Sequence, residues 1–443
     1  MMKHYLFIVF FLIILVNFAD SQTFEKLIRT EQDDFSSDAL ELSNGSFIIG
    51  YNYGVFDGAT QSSLLKLDVN GNVIDSLVLP EQVMYIGRNI VNLFDYDGNT
   101  FLCIRYVEDL TDGNLKINLF QIDYSLSLVY DTIYGPKLDG GVVFDTMIDS
   151  DGNLISTGAN YDQTPYPSVF FVLKYGLITH DFSYHEYSGY LALVASTIMD
   201  VPEFSSYHVY LYWANNREIL KVDRQTLELD SIMYYPAGFN PRNAVEGFAE
   251  DHYFVAGKSS NYPMVNFAPS FLKVKANGEI VEQYTYLDHA DTNIYYSNNS
   301  FDHKYQKIYF AVTYNFPQEP PFPFYPQQEW ILLYKLDAAG DIIWQNFYKG
   351  EVNYNPYKVL ATNDGGALVL STKYDWNDPL GQHLDLHLLK VDSTGWYDGL
   401  VNVGDDGRPL QILVYPNPVR DRVHFEPGLY SDLRVQLFDV NGR

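Results

Sequence analysis

A single cysteine, Cys103, stands in a chain of 443 residues. No intrachain disulfide can form, so stability has to come from packing and strand pairing. Phe101, Leu102 and Ile104 surround that cysteine in sequence, the setting of a small buried filler rather than of a nucleophile. Helical periodicity is absent throughout. Basic residues are scarce: 28 Lys and Arg face 56 Asp and Glu, a formal charge of −28. A field of that sign repels nucleic acid and anionic lipid, which excludes nucleic-acid binding as an expected role. Catalytic signatures are missing as well, with no H-E-x-x-H, no G-x-S-x-G and no phosphate loop. Long apolar runs are missing with one exception, at the N-terminus.

That exception is residues 5–18, with Lys3 before it and the small residues Ala19 and Ser21 behind it. The pattern is that of a secretory signal peptide over residues 1–21. An apolar run of about 14 residues is too short to span a bilayer comfortably. The mature chain is expected to start near Gln22, outside the inner membrane and without a transmembrane segment.

What is present in abundance is apolar and aromatic residues. Hydrophobic residues make up 47% of the chain, enough for a folded interior. Aromatics make up 16%, with 38 Tyr and 29 Phe. Rings suit a pleated strand surface, and they equally suit a surface that stacks on sugars or peptides. Composition does not separate the two.

The organising feature is a repeat. A short pattern of apolar residues around a central Lys or Gln recurs seven times, as LLKLD at 64–68, LFQID at 119–123, FVLKY at 171–175, ILKVD at 219–223, FLKVK at 271–275, LYKLD at 333–337 and LLKVD at 388–392. The intervals run from 48 to 62 residues. Each copy holds four apolar runs bounded by Gly, Asp and Asn; in the first they fall near 38–42, 46–51, 63–67 and 73–79. Four short antiparallel strands per ~50 residues is the arithmetic of a propeller blade. The fold class expected is all-β: a seven-bladed β-propeller over 22–395, a linker over 396–410, and a truncated, β-sandwich-like C-terminal domain over 411–443. Residues 24–29 read as a lone strand, expected to complete the seventh blade by pairing with 384–391.

Antiparallel order puts the first and third turns of every blade on one face. Those turns are tight, as at Ser43-Asn44-Gly45, Asp97-Gly98-Asn99 and Asp364-Gly365-Gly366, where Gly supplies the positive φ of a short hairpin. Asp95-Tyr96-Asp97-Gly98 and Asp149-Ser150-Asp151-Gly152 begin like calcium loops but lack the later ligands and the closing Glu, so they read as turns. Connections on the opposite face are long, at 52–61, 107–114, 160–168, 259–269, 315–329 and 373–382. They carry Tyr53, Tyr166, Tyr262, Phe322, Phe324, Tyr325, Trp330 and Trp376, the expected ligand-contacting rings. Packing of these loops over the ring explains them equally well. His383, Asp385 and His387 alternate along one strand and form a weak metal candidate, with no fourth ligand legible. No cofactor is implied and no catalytic residue is identifiable.

The last stretch opens with Tyr415-Pro416-Asn417-Pro418, continues through an alternating Val423 and Phe425, and ends in Leu437-Phe438-Asp439 with Gly442 and Arg443. It resembles the type A C-terminal sorting domain of type IX secretion substrates of Bacteroidota. The resemblance covers only the final ~33 residues, and family domains continue for several more strands. It implies Tyr415, Pro416, Asn417, Pro418, Asp439, Gly442 and Arg443 as sorting residues and the type IX machinery as a partner. It also implies passage to the cell surface or the medium. The reading is an exported propeller that binds an extracellular glycan or protein ligand. An extracellular polysaccharide lyase or hydrolase, with its site at the propeller axis, is the alternative; a purely structural surface or adhesion component is a third.

Overall fold

The computed structural model describes residues 22–54, 60–80, 92–109, 114–139, 142–160, 169–188, 193–213, 216–246, 252–260, 267–286, 294–295, 301–315, 328–378 and 384–397, with four short strands beyond. Seven sheets form a ring. Blades 1 to 6 occupy 33–78, 92–139, 142–188, 193–234, 239–285 and 294–349, and blade 7 occupies 353–391. In blades 1 to 5 the four strands are neighbours in chain order, inner strand first. Blade 6 splits its inner position: Ile294–Tyr295 and Phe301–Lys304 both pair with Lys307–Tyr314. The seven-bladed propeller expected from the repeat is therefore what forms.

Blade 7 is composite. Its outermost strand is Phe24–Ile28, antiparallel to Leu384–Val391, with Phe24 opposite Lys390 and Ile28 opposite Leu386. The ring is thus closed by the beginning of the chain, as the sequence led us to expect. The ring of Phe24 packs against Gly71 so closely that a Cβ there would lie 2.5 Å from it, and Gly71 has φ +75°. Only glycine meets both conditions.

Strand ends differ from the sequence reading. In blade 1 the strands are Asp33–Glu41, Phe47–Gly54, Thr60–Leu67 and Val73–Val78. Pairing continues past the apolar positions, with Asp33 opposite Gly54, because ladder hydrogen bonds do not depend on side-chain polarity. The loop read as 52–61 shrinks accordingly.

Seven clusters of buried side chains fill the seven gaps between blades. Each fully buried Leu or Phe contributes roughly 2 kcal/mol. The repeated motif acquires a mechanical meaning here. Its lysine reaches the outer hairpin of the next blade: Lys66 Nζ donates to the Tyr124 carbonyl at 2.6 Å, Lys174 to Arg224 at 2.9 Å and Lys335 to Ser393 at 2.8 Å. Its aspartate folds the hairpin, as Asp68 Oδ1 accepts from the amides of Asn70 and Asn72 at 2.9 and 2.8 Å. Tyrosines do similar work. The hydroxyls of Tyr286 and Tyr348 donate to the carbonyls of Gly340 and Gly395 at 2.7 and 2.6 Å. Part of the aromatic content thus serves the joints between blades.

Beyond blade 7, Tyr397 is 1% exposed and its ring meets Tyr348. Asn402–Val403 pairs with Pro409–Leu410, and Ile412–Tyr415 with His424–Pro427. Pro416, Asn417, Pro418, Asp439, Gly442, Arg443 and the expected leader over 1–21 lie outside the described residues. Among the described residues, no helix is long and apolar enough to cross a membrane.

Candidate functional site

Two places on the ring gather chemistry. The first is the axis. Asp38 of blade 1, Asp145 of blade 3 and Asp302 of blade 6 share one geometry. One carboxylate oxygen of each accepts from the next amide of its own strand, Ala39, Thr146 or His303, at 2.8 to 2.9 Å. The other accepts from an inner-strand amide of the following blade, Leu93, Ile198 or Ala361, at 2.7 to 3.1 Å. Blade 7 carries Lys358 at the matching point just past a β-bulge, and its ammonium lies 2.8 Å from Asp38. Blades 3 and 7 are far apart around the ring, yet the charges of Asp145 and Lys358 act on each other, which places Lys358 toward the axis.

Burial sets the protonation of this group. It would lower Lys358, but the carboxylates of Asp38, Asp302 and Asp145 more than reverse that and hold the ammonium above its ordinary value. Burial also pushes Asp145 up to about 6, against the hydrogen bonds from Thr197 and Ile198. Asp302 moves up for the same reason, opposed by Lys358. Sequence reasoning missed these four residues. For Asp38, Asp145 and Lys358 the available signal was a common place, seven residues before the turn glycines Gly45, Gly152 and Gly365.

The second place is the loop end of blades 7 and 1. Trp376 sits on a turn, half-buried, packed on the cluster between blades 6 and 7. Both acids that flank it are clamped. Asp378 lies 2.7 Å from Arg29, and Asp375 lies 3.6 Å from Lys373 and accepts from the Asn377 amide at 3.0 Å. On the neighbouring blade, Tyr53 donates to Gln61 Oε1 at 2.6 Å and its ring meets Tyr51 at 5.9 Å. Trp376 packs on the joint between blades 6 and 7 and Tyr53 on the joint between blades 7 and 1, so the two rings flank blade 7.

Other expected site residues fare differently. Trp330 is not displayed on the loop face. It is 8% exposed, its ring meets Tyr314, and its indole nitrogen covers Gly350. The alternation of strand side chains turns it into the gap between blades 5 and 6. Tyr166, Tyr262, Phe322, Phe324, Tyr325 and His383 lie outside the described residues. Asp385 and His387 are engaged by organic partners. Arg29 grips Asp385 with two nitrogens, at 3.0 and 2.6 Å. His387 joins Ser371 Oγ at 2.7 Å and Glu25 Oε1 at 3.1 Å. Among the described residues no three His, Cys, Asp or Glu side chains converge as metal ligands would. The turn aspartates 149 and 151 are met by Arg224 at 3.5 and 3.1 Å.

No protein-family model matches the chain, and no curated protein matches it. Among solved structures it is similar to the β-propeller domain of the Trilobed protease from Pyrococcus furiosus, at 10% identity over 83% of this chain and 97% of that one, with a TM-score of 0.46. It is also similar to the polysaccharide lyase Uly1, at 10% identity over 84% and 100% of the two chains, TM-score 0.46. A polysaccharide lyase described as an ulvan lyase gives 9% identity over 83% and 96%, TM-score 0.47. The likeness is one of propeller form.

Proposed function

We propose that this chain is an exported propeller that binds an extracellular ligand through the loop end of its blades, a glycan or a protein segment. The observation that carries the reading is the Trp376 turn: an aromatic side chain on a loop whose flanking carboxylates are fixed by Arg29 and Lys373. A ring held this way presents contact area at little entropic cost. Export rests on the leader pattern at residues 1–21 and on the likeness of residues 415–443 to a type IX sorting domain. The type IX machinery is then a partner, and the cell surface or the medium the destination.

The axis supports a second reading, a polysaccharide lyase or hydrolase. Asp145, raised to about 6 beside Lys358, is a carboxyl tuned toward acid–base work. Against it, every axial carboxylate oxygen accepts from a backbone amide. An array of oligosaccharides and peptides, probed with the full mature chain and followed by product analysis, tests both. Retention that falls at least tenfold in Trp376→Ala with no new reducing or unsaturated ends supports binding. Product formation abolished by Asp145→Asn supports the enzyme.

A further inference from the structure

The loop end of the closing seam holds a buried acid that the binding reading does not use. Asp34 lies on the inner strand of blade 1 and is 0% exposed. Its Oδ2 accepts from the Thr30 amide at 2.7 Å, and its Oδ1 has no hydrogen-bond partner among the described residues. Thr30 belongs to the short link between the closing strand Phe24–Ile28 and blade 1. Asp34 therefore grips the point where the ring's last strand turns into its first blade.

Charge around it is unbalanced. On its own strand Asp33 accepts from the Leu384 amide at 3.0 Å. From blade 7, the charge of Asp385 acts on it, and Asp385 is held by Arg29, which also holds Asp378. Lys373 is paired in register with Asp385 and bridged to Asp375. Tyr51 and Tyr53 of the second strand and Tyr374 of blade 7 complete the surroundings, with His387 two residues further along and engaged by Glu25. Two cations, Arg29 and Lys373, thus stand among five aspartates, 33, 34, 375, 378 and 385, while Glu25 has Lys349.

We propose that Asp34 is a proton-operated latch on the ring: protonated, it lets the loop end of blade 7 close on blade 1; ionised, it sets a further carboxylate beside Asp385 and loosens the closing strand. Burial raises this carboxyl to about 6, opposed by Thr30 and assisted by Asp385 and Asp33. The ordinary value is 3.8. An acid raised on folding gives stability that is fully present below its unfolded value and lost as pH rises through its folded one. The latch therefore tightens from pH 7 toward pH 5. Because Arg29 and Asp378 also fix the Trp376 turn, loosening here reaches Trp376.

Hydrogen–deuterium exchange by mass spectrometry on the full mature chain tests this. After correction for intrinsic exchange, protection of the peptide covering 22–30 should fall about tenfold between pH 5 and pH 8, while that of 153–160 in blade 3 stays level. Asp34→Asn should hold the closing strand at its acid-form protection across the range. A parallel fall in both peptides, or an Asp34→Asn chain that follows the wild-type course, overturns the latch. Should that variant not fold, carboxyl carbon chemical shifts of wild-type Asp34 decide: a midpoint near 6 supports it, and one at or below about 4 overturns it.

Discussion

Blades 3 and 7 share one plan but are assembled differently, and their joints differ to match. Blade 3 is a continuous run, 142–188, whose outer strand follows its neighbour through a tight turn. It is joined to blade 4 by thirteen buried apolar and aromatic residues, a tyrosine hydroxyl on Leu227, a lysine on Arg224, and the Arg224 guanidinium on Asp149 and Asp151. Blade 7 takes its outer strand from the other end of the chain, and that strand is dense in charge. Glu25 lies 2.6 Å from Lys349 of blade 6 and 3.1 Å from His387. Arg29 holds two aspartates. Where a hairpin turn fixes register, the charges of the joint, Arg224 on Asp149 and Asp151, lie between blades rather than along the outer strand. A strand arriving from far away in sequence can slip by two residues and keep the same face inward, so directional ion pairs select its register.

Four outcomes would break or sharpen this contrast. The largest is expected for Phe170→Ala, which empties a fully buried site in blade 3. Urea unfolding should show a loss of about 3–5 kcal/mol, with closing-strand exchange unchanged. Next comes Arg29→Ala. It leaves Asp385, 2% exposed, without its cation, while Arg29 itself is 34% exposed. A loss of about 2 kcal/mol with selective exposure of 22–30 is expected, below the cost of breaking a fully buried pair. A loss under about 0.5 kcal/mol would show that the ladder alone holds the strand.

Third is Glu329→Gln at the loop end of the joint between blades 6 and 7. Burial pushes Glu329 up to about 8 from 4.5, opposed by Asn353. Its folded value is raised, so the stability it gives is complete below 4.5 and lost as pH climbs through 8. The wild-type thermal midpoint should fall between pH 5 and pH 9, and the variant should flatten that slope and melt higher at pH 9. An unchanged slope would refute a buried neutral Glu329. Smallest is Lys174→Met, which removes one of the repeated staples. A cost of about 1 kcal/mol at the joint between blades 3 and 4 is expected in calorimetry, with nothing at the closing strand.

The repeat made the ring legible. Leu388, Lys390 and their equivalents stand at fixed intervals because each blade must present the same face to the next. The closing strand was legible too, since residues 24–29 had no partner in their own repeat. The axial group was not. Asp38, Asp145, Asp302 and Lys358 resemble ordinary strand-edge polar residues, and only the closing of the ring brings four blades' worth of them together. Trp330 misled for a related reason: a ring at a loop boundary can turn inward, and alternation along the strand, rather than nearness to a loop, decides it. Asp34 hid inside an apparently solvated acidic run, Glu31 to Asp34, whose burial depends on blade 7 arriving from the far end of the chain.

The composite seventh blade is the premise on which both the latch and the fixed Trp376 turn depend. Its most direct test is the thermal midpoint of a chain starting at Asp33, measured with and without a synthetic peptide of residues 22–32. Omission should lower the midpoint by at least 5 °C, and the peptide should restore it in a saturable way. A chain that melts at the full-length temperature without the peptide, or ignores it when added, would contradict closure by the N-terminal strand.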